Sequence, residues 1–381
     1  MSIKVSFISN FLNHHQIPFS NEMYKLIGHD YSFIATEKVS QQRLDLGYKD
    51  ASVDYSYAIN SYESQDNERT CMHLALESDV VIIGSAPERF VNERIRQGKL
   101  TFRYSERIFK KGTWRIINPR GMRSLYLVHT RYRRRPNVHM LCASAYTPVD
   151  MDLLHAYPGR MWKWGYFPQV NEYNMDELHS KKESNMPKLL WVGRFLNWKQ
   201  PEKAIKVAKR LKENGYNFKL NFIGIGDKEN ELKYMTEKYS LFDRISFLGT
   251  MSPEMVREHM EEANIFLFTS NQQEGWGAVL NESMNSGCAV VANRIIGSVP
   301  YLIKDDENGF SYDNDEELYE CIKYLLDNPQ LARRMGENAC KMMINEWSPS
   351  IAAERLMQLS RALLDGHEAS DLFLDGPCSR A

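Results

Sequence analysis

The chain lacks any CxxC pair, any run of 18 apolar residues, any low-complexity tract and any repeat of solenoid length. Its six cysteines, Cys71, Cys142, Cys288, Cys321, Cys340 and Cys378, are scattered, which argues against a zinc ribbon or a disulfide framework and fits a reducing cytosol. The opening MSIKVSFISN has neither a charged leader nor a long apolar core, so a cytoplasmic protein, neither exported nor membrane-spanning, is expected. Net charge is small: 48 Lys and Arg against 49 Asp and Glu leave -1, a balance that points to no partner. No credible metal cluster is visible either, since DMD (150–152) and DND (313–315) read as loop acids.

With 381 residues, 43% hydrophobic and 25% charged, the chain has room for two soluble domains, each with its own core. The second half is the clearer. KLLWVG (188–193), FKLNFIG (218–224), RISFLG (244–249), NIFLFTS (264–270) and CAVVA (288–292) are apolar runs of strand length, mostly closed by Gly or Ser. Between them, PEKAIKVAKRLKENG carries Pro201 at a first helical position and Gly215 as a stop, and SPEMVREHMEEA starts on Ser252 as a cap. Strands alternating with such helices predict right-handed βαβ units, so residues 187–343 are expected to be a Rossmann-like domain.

Residues 1–172 follow the same logic, with strands expected at 3–9, 31–36, 79–85, 100–105 and 138–144. The polar, aperiodic NEYNMDELHSKKESNMPK (171–188) reads as the interdomain linker. A helix is expected over 346–365 after Trp347, and beyond it DGHEASDLFLDGPCSRA reads as a loose tail.

In an open parallel sheet, ligands meet the carboxyl ends of the strands. After KLLWVG come Arg194 and Lys199, fixed cations that would suit a phosphate chain, although the loop taken alone also reads as two solvated charges. The next strand is followed by GIGDKE, which lacks the third glycine of a dinucleotide fingerprint and serves equally as a tight turn. EGWGAVLNE (274–282) then sets Glu274 in a loop and Glu282 on the following helix, around Gly275, Trp276, Gly277 and Ala278. The two acids sit on different elements and could touch different parts of one long ligand, with the glycines letting it approach the backbone. The plain alternatives are an exposed helix acid for Glu282 and a core aromatic for Trp276.

Together VGRFLNWK, FLG (247–249), the acid-x7-acid EGWGAVLNE, NSGCAVVA and IGSVPYLI with ENGF resemble the retaining glycosyltransferases of family 4, over residues 188 to about 312 in family order. The resemblance implies a GT-B fold, an α/β architecture of two facing Rossmann-like domains, with the helix at 346–365 crossing back to the N-terminal domain. It further implies a nucleoside-diphosphate-sugar donor, with Arg194 and Lys199 on the diphosphate, Glu282 on the ribose hydroxyls and Glu274 near the reacting sugar carbon. Gly275, Trp276, Gly277, Ala278 and Leu248 would complete the donor contacts. In the family's usual front-face proposal the leaving phosphate takes the acceptor proton, so neither a metal nor a cofactor is implied and the nucleotide sugar is itself a substrate.

The N-terminal half departs from the family. Its first loop, SNFLNHHQIPFS (9–20), lacks the relatives' glycine pair, and RYSER (103–107) stands where they often carry a His-Asp pair. Candidate sugar or acceptor contacts there are Asn13, His14, Ser105 and Glu106, with His15 beside them, against ordinary loop or cap roles. Residues 94–135 hold 14 Lys or Arg and the single acid Glu106, interleaved with aromatics. Such a stretch suits anionic lipid headgroups or a pyrophosphate-bearing acceptor, at the inner face of the plasma membrane, or else is a solvated basic surface. No RNA-binding motif is evident, and nucleic acid is not expected as a partner. The rival readings are a GT-B nucleotide-sugar epimerase, an inactive binding protein that keeps the fold, and, more remotely, a nicotinamide dehydrogenase.

Overall fold

A computed structural model of the chain describes residues 3–40 and 51–381. Contacts divide it into two units, Met1–Gln169 with Trp347–Ala381, and Val170–Glu346. In the first, seven parallel strands run in the order β3-β2-β1-β4-β5-β6-β7. They are β1 (Val5–Ser9), β2 (Tyr31–Ala35), β3 (Ala58–Asn60), β4 (Val80–Ile83), β5 (Leu100–Ser105), β6 (Val138–Cys142) and β7 (Met161–Lys163). Chain direction reverses its progress across the sheet between β1 and β4. β1, β4 and β6 are buried along their whole length, which is why they read as continuous apolar runs rather than alternating ones.

The second unit has six parallel strands in the order β10-β9-β8-β11-β12-β13. They are β8 (Lys188–Val192), β9 (Lys219–Ile223), β10 (Ile245–Phe247), β11 (Ile265–Phe268), β12 (Ala289–Asn293) and β13 (Gly309–Tyr312). Here the reversal falls between β8 and β11, joined in register at Ile265 with Leu189 and Phe266 with Leu190. Ala204, Ile205, Val207, Ala208 and Leu211 of the helix Glu202–Glu213 are buried on that sheet, the stripe its spacing predicts. Ser252 caps the helix Pro253–Glu262 through the Met255 amide.

Three expectations are revised. The segment taken as a linker contains the helix Met175–Lys182, capped by Asn174, with Leu178, His179 and Lys182 buried. It belongs to the second unit, and the division falls at Gln169/Val170 instead of between 172 and 187. Its burial rests on three side chains, too few for a sequence period. The supposed loose tail is docked: Lys163 donates its amide to the Ser379 carbonyl (2.8 Å), Cys378 donates to the Lys163 carbonyl (2.8 Å), and Trp162 bridges Arg380 in antiparallel sense. Cys378 and Ser379 are buried, so the tail covers the outer edge of β7, pinned by a Lys163–Asp375 ion pair. Third, DMD is helical, within Thr147–Leu153, and Asp150 accepts the Ile108 and Phe109 amides at 2.7 and 3.0 Å.

The short strands β3, β7 and β13 were not anticipated. These are edge strands only partly buried along their length, so none presents the continuous apolar run that marks the similarly short β4 and β11. The helix Pro349–Leu364 belongs to the first unit and lies against the helix Ile17–Ile27, and just before it Trp347 is buried with its ring stacked 6.3 Å from Phe167.

Candidate functional site

The second unit's strand reversal sets two loops side by side at carboxyl ends, 193–201 after β8 and 269–278 after β11. Backbone bonds tie them: Asn271 donates its amide to the Trp198 carbonyl (2.8 Å) and Thr269 Oγ1 donates to the Lys199 carbonyl (2.8 Å). Trp191 Nε1 in turn donates to Thr269 Oγ1 at 2.9 Å, fixing that hydroxyl from the strand below. Lys199 is thereby aimed across the reversal, where its ammonium pairs with Glu274. Ser270 Oγ donates to the same carboxylate oxygen at 2.9 Å. Both charged side chains are largely buried, a setting in which an unpaired charge would be costly. Arg194 is exposed beside them and makes no ion pair among the described residues.

Three glycines make room for this arrangement. A Cβ on Gly277, whose φ is +83°, would lie 2.3 Å from Phe268 Cζ and 3.2 Å from Glu274 Cγ. A Cβ on Gly224 or Gly226 would lie 2.0 Å from the Gly193 carbonyl oxygen or 2.7 Å from that of Phe195. The glycines of GIGDKE therefore let the loops after β8 and β9 touch, and the motif needs no dinucleotide to explain it.

Glu282 lies on the helix Val279–Asn285, half-buried, and burial pushes its carboxyl up from the ordinary range while Arg257 opposes the shift. Arg257 is itself held by Asn285 Oδ1 at 2.8 Å. The exposed-acid alternative for Glu282 is thus set aside. For Trp276 the core alternative holds: its ring is fully buried with Nε1 donating to Asn281 Oδ1 at 2.9 Å, so only its backbone is left to meet a ligand. That backbone is held in place, because Ser298 Oγ donates to the Trp276 carbonyl at 2.6 Å. Gly275 and Ala278 flank it in the same turn, Ala278 preceding the helix, and Leu248 sits half-buried just past β10.

In the first unit a different group assembles at strand ends. Asn13 Oδ1 accepts the amides of His15 (3.0 Å) and Gln16 (3.2 Å), so its side chain shapes the loop after β1. The His14 and His15 rings lie 3.7 Å apart, and His15 stacks on Tyr166 at 5.5 Å. Burial, with His14 adding to it, lowers the His15 pKa to about 3, and its Nδ1 is buried without a hydrogen-bond partner. The Tyr166 hydroxyl donates to Glu106 Oε1 at 2.6 Å, and the other oxygen of that carboxylate pairs with Lys110. Ser105 Oγ donates to the adjacent Glu106 carbonyl at 2.7 Å. Burial and Glu106 raise the phenols of Tyr104 and Tyr166 well above their usual value. His15 and Glu106 are thus brought into one network by Tyr166, whereas Asn13 and Ser105 serve the loops that carry it.

Sequence reasoning missed Thr269, Ser270 and Tyr166. The first two were legible as the TS that directly follows β11, one turn before Glu274; Tyr166 lies 60 residues from its partner Glu106 and left no local signal.

The basic stretch 94–135 is not one surface. Arg94 is buried and donates to four carbonyls, those of Ala75, Ser78, Asp79 and Leu100; Arg103 and Arg131 share Glu88, Arg96 pairs with Glu93, and Arg107 faces Asp150. Lys99 donates to the Leu76 carbonyl, and Lys110 is held by Glu106. Except for Arg96, whose pair with Glu93 is exposed on a single short helix, these cations are tied into the unit, and composition alone could not distinguish them from the free surface ones.

Two open parallel sheets, each with side chains gathered at strand carboxyl ends, define a double Rossmann-like α/β protein. Residues 175–342, within the second unit, match the family model described as Glycosyl transferases group 1. Among curated proteins, an alpha-D-kanosaminyltransferase of Streptomyces kanamyceticus is 28% identical over 179 residues, 46% of this chain and 46% of the relative. A putative colanic acid biosynthesis glycosyltransferase, WcaL of Escherichia coli, is 30% identical over 127 residues, 32% of this chain and 31% of the relative. The matches therefore span less than half the length of these relatives. Among solved structures, Anabaena HepE in complex with UDP superposes with a TM-score of 0.71 over 94% of this chain and all of its own, at 12% identity. Sucrose-phosphate synthase of Thermosynechococcus elongatus gives 0.65 over 96% of this chain, at 15% identity. At such identities the likeness establishes the fold, which is GT-B.

Proposed function

We propose that the protein is a retaining, metal-independent glycosyltransferase of family 4. It moves a sugar from a nucleoside diphosphate sugar, a UDP-sugar by preference, to a saccharide or lipid-linked acceptor in polysaccharide or glycoconjugate assembly at the membrane surface. The observation that carries this reading is the placing of Arg194, Lys199 and Glu274 on adjoining loops at the strand reversal between β8 and β11. The family match to the same residues and the likeness to a fold solved with UDP support it.

In this reading the diphosphate lies beside Arg194 and Lys199. It offers Lys199 a second anion, which loosens its hold on Glu274 and leaves that carboxylate to accept hydrogen bonds from the sugar's hydroxyls, steadied by Ser270. As the bond between the anomeric carbon and the phosphate oxygen breaks, its electron pair passes to the diphosphate, where the two cations stabilise the growing charge. The acceptor oxygen bonds to the anomeric carbon on the face the phosphate leaves, and its proton passes to the departing phosphate oxygen. Glu282 accepts the ribose hydroxyls, while Leu248 and the backbone from Gly275 to Ala278 line the donor. Positioning and electrostatics supply the rate, so no protein nucleophile is required.

The test is a thermal-shift screen of UDP-, GDP- and ADP-sugars, followed by NMR of the product formed with lipid-linked saccharides. A new glycoside keeping the donor's anomeric configuration is expected. Interconversion of the sugar without acceptor would establish an epimerase instead, and inversion would remove the retaining assignment.

A further inference from the structure

Of the 14 cations in residues 94–135, seven have a hydrogen-bond or ion-pair partner within the unit, and the other seven lie at 111–123 and 133–135, on and next in sequence to a pair of short helices. The short helix Trp114–Ile117 and the helix Pro119–Val128 pack closely: a Cβ on Gly121 would lie 2.4 Å from the Arg115 carbonyl oxygen. Asn118 joins them, its side chain accepting the Arg120 and Gly121 amides. Outward from this hairpin stand Trp114, 57% exposed, Ile117, 84% exposed, and Met122, Tyr126 and Leu127, all exposed. Met122 and Tyr126 are one turn apart on one stripe, and Arg120 and Arg123 occupy the stripe beside it. Lys111, Arg120, Arg123 and the run Arg133, Arg134 and Arg135 are exposed, and with half-buried Arg115 they make no ion pair among the described residues. From Arg107 to Val149 the sequence contains no acid.

We infer that this hairpin is a wedge that enters the headgroup region of an anionic membrane, with Trp114, Ile117, Met122 and Tyr126 reaching the acyl boundary and the surrounding cations meeting lipid phosphates. Large exposed apolar side chains this close together are unusual on a solvated surface. Their mixture with Trp, Tyr and unpaired cations matches the composition of interfacial helices. Charge decides the occupant: an apolar protein partner gains nothing from seven cations, whereas a lipid surface of negative potential engages both features at once. The inference rests on the membrane-surface part of the proposed function and not on its transfer chemistry.

The test uses the whole chain without any sugar nucleotide, so its failure leaves the transferase reading standing. Binding is measured to phosphatidylcholine vesicles with and without phosphatidylglycerol, and to heparin. Anionic vesicles are expected to bind in a salt-sensitive way, with Trp114 quenched by lipids brominated in their acyl chains and the quenching gone in Trp114→Phe. Ile117→Asp with Met122→Asp should weaken vesicle binding about tenfold or more while leaving heparin binding unchanged. Arg120→Glu with Arg123→Glu should weaken both. Circular dichroism melts of each variant check the fold, which side chains this exposed should not disturb. Vesicle binding indifferent to Ile117→Asp with Met122→Asp, or an unquenched Trp114, would overturn the wedge; heparin binding without vesicle binding would make the surface a polyanion site instead.

Discussion

The two sheets share one architecture and differ in what collects at their carboxyl edges. In the second unit the edge gathers fixed charge, with Lys199 against Glu274, Arg194 beside them and Glu282 nearby. In the first it gathers rings: His14 beside His15, and His15 stacked on Tyr166, which hydrogen-bonds Glu106. The charged edge is built mainly from the two short loops 193–201 and 269–278, whose own residues carry its charges, with Gly224, Gly226 and Ser298 supporting them from elsewhere in the unit. The ring edge draws on three loops spread over some 150 residues, joined by a tyrosine that belongs to no motif. Parallel sheets can thus assemble a site from short contiguous words or from distant single residues, and only the first kind can be read before folding.

The largest effect should come from breaking the charged edge. Glu274→Gln keeps the bond to Ser270 but removes the ion pair, and turnover is expected to fall by about a hundredfold to a thousandfold with little change in nucleotide affinity, read by single-turnover kinetics and calorimetry. A similar fall in Glu106→Gln would erase the asymmetry between the edges. Glu282→Gln should show a trade. Burial raises the Glu282 pKa above its unfolded value, so the contribution of its protonated form to stability is present at low pH and lost as pH rises through the folded value. At neutral pH the glutamine variant is therefore expected to melt slightly higher than the parent while binding nucleotide more weakly; a lower melting temperature would mean the carboxylate is fully compensated by Arg257.

The smallest effect tests the ring edge. Burial, with His14 adding to it, holds the folded His15 imidazole down to about 3, against 6.5 for the free side chain. Between those values the unfolded chain binds the extra proton, so stability is kept above pH 6.5 and declines as pH falls. His15→Phe, which keeps the stack on Tyr166, should flatten part of this acid slope in denaturant titrations. An unchanged slope would leave the buried His129 and His139, each also lowered to about 3, as its source.

Much of the fold was legible because the long strands are buried on both faces and the helices between them carry caps and stripes. What escaped were elements whose place is fixed by a few specific contacts: β3, β7 and β13, the helix Met175–Lys182 and the docked tail. The same holds at the candidate sites. EGWGAVLNE and VGRFLNWK announce their chemistry locally, whereas the division of the basic stretch into internal pins and an exposed wedge depends on where Glu88, Glu93 and Asp150 stand after folding.

The first unit takes Trp347, its last helix and the strip along β7 from residues that follow the whole of the second unit in the chain. During synthesis, then, the second unit has all its residues available while the first still lacks a wall. The earlier-made half is the later one to be finished, and until residues 347–381 arrive its β7 edge and the seat of Trp347 are open to whatever else is in the cell.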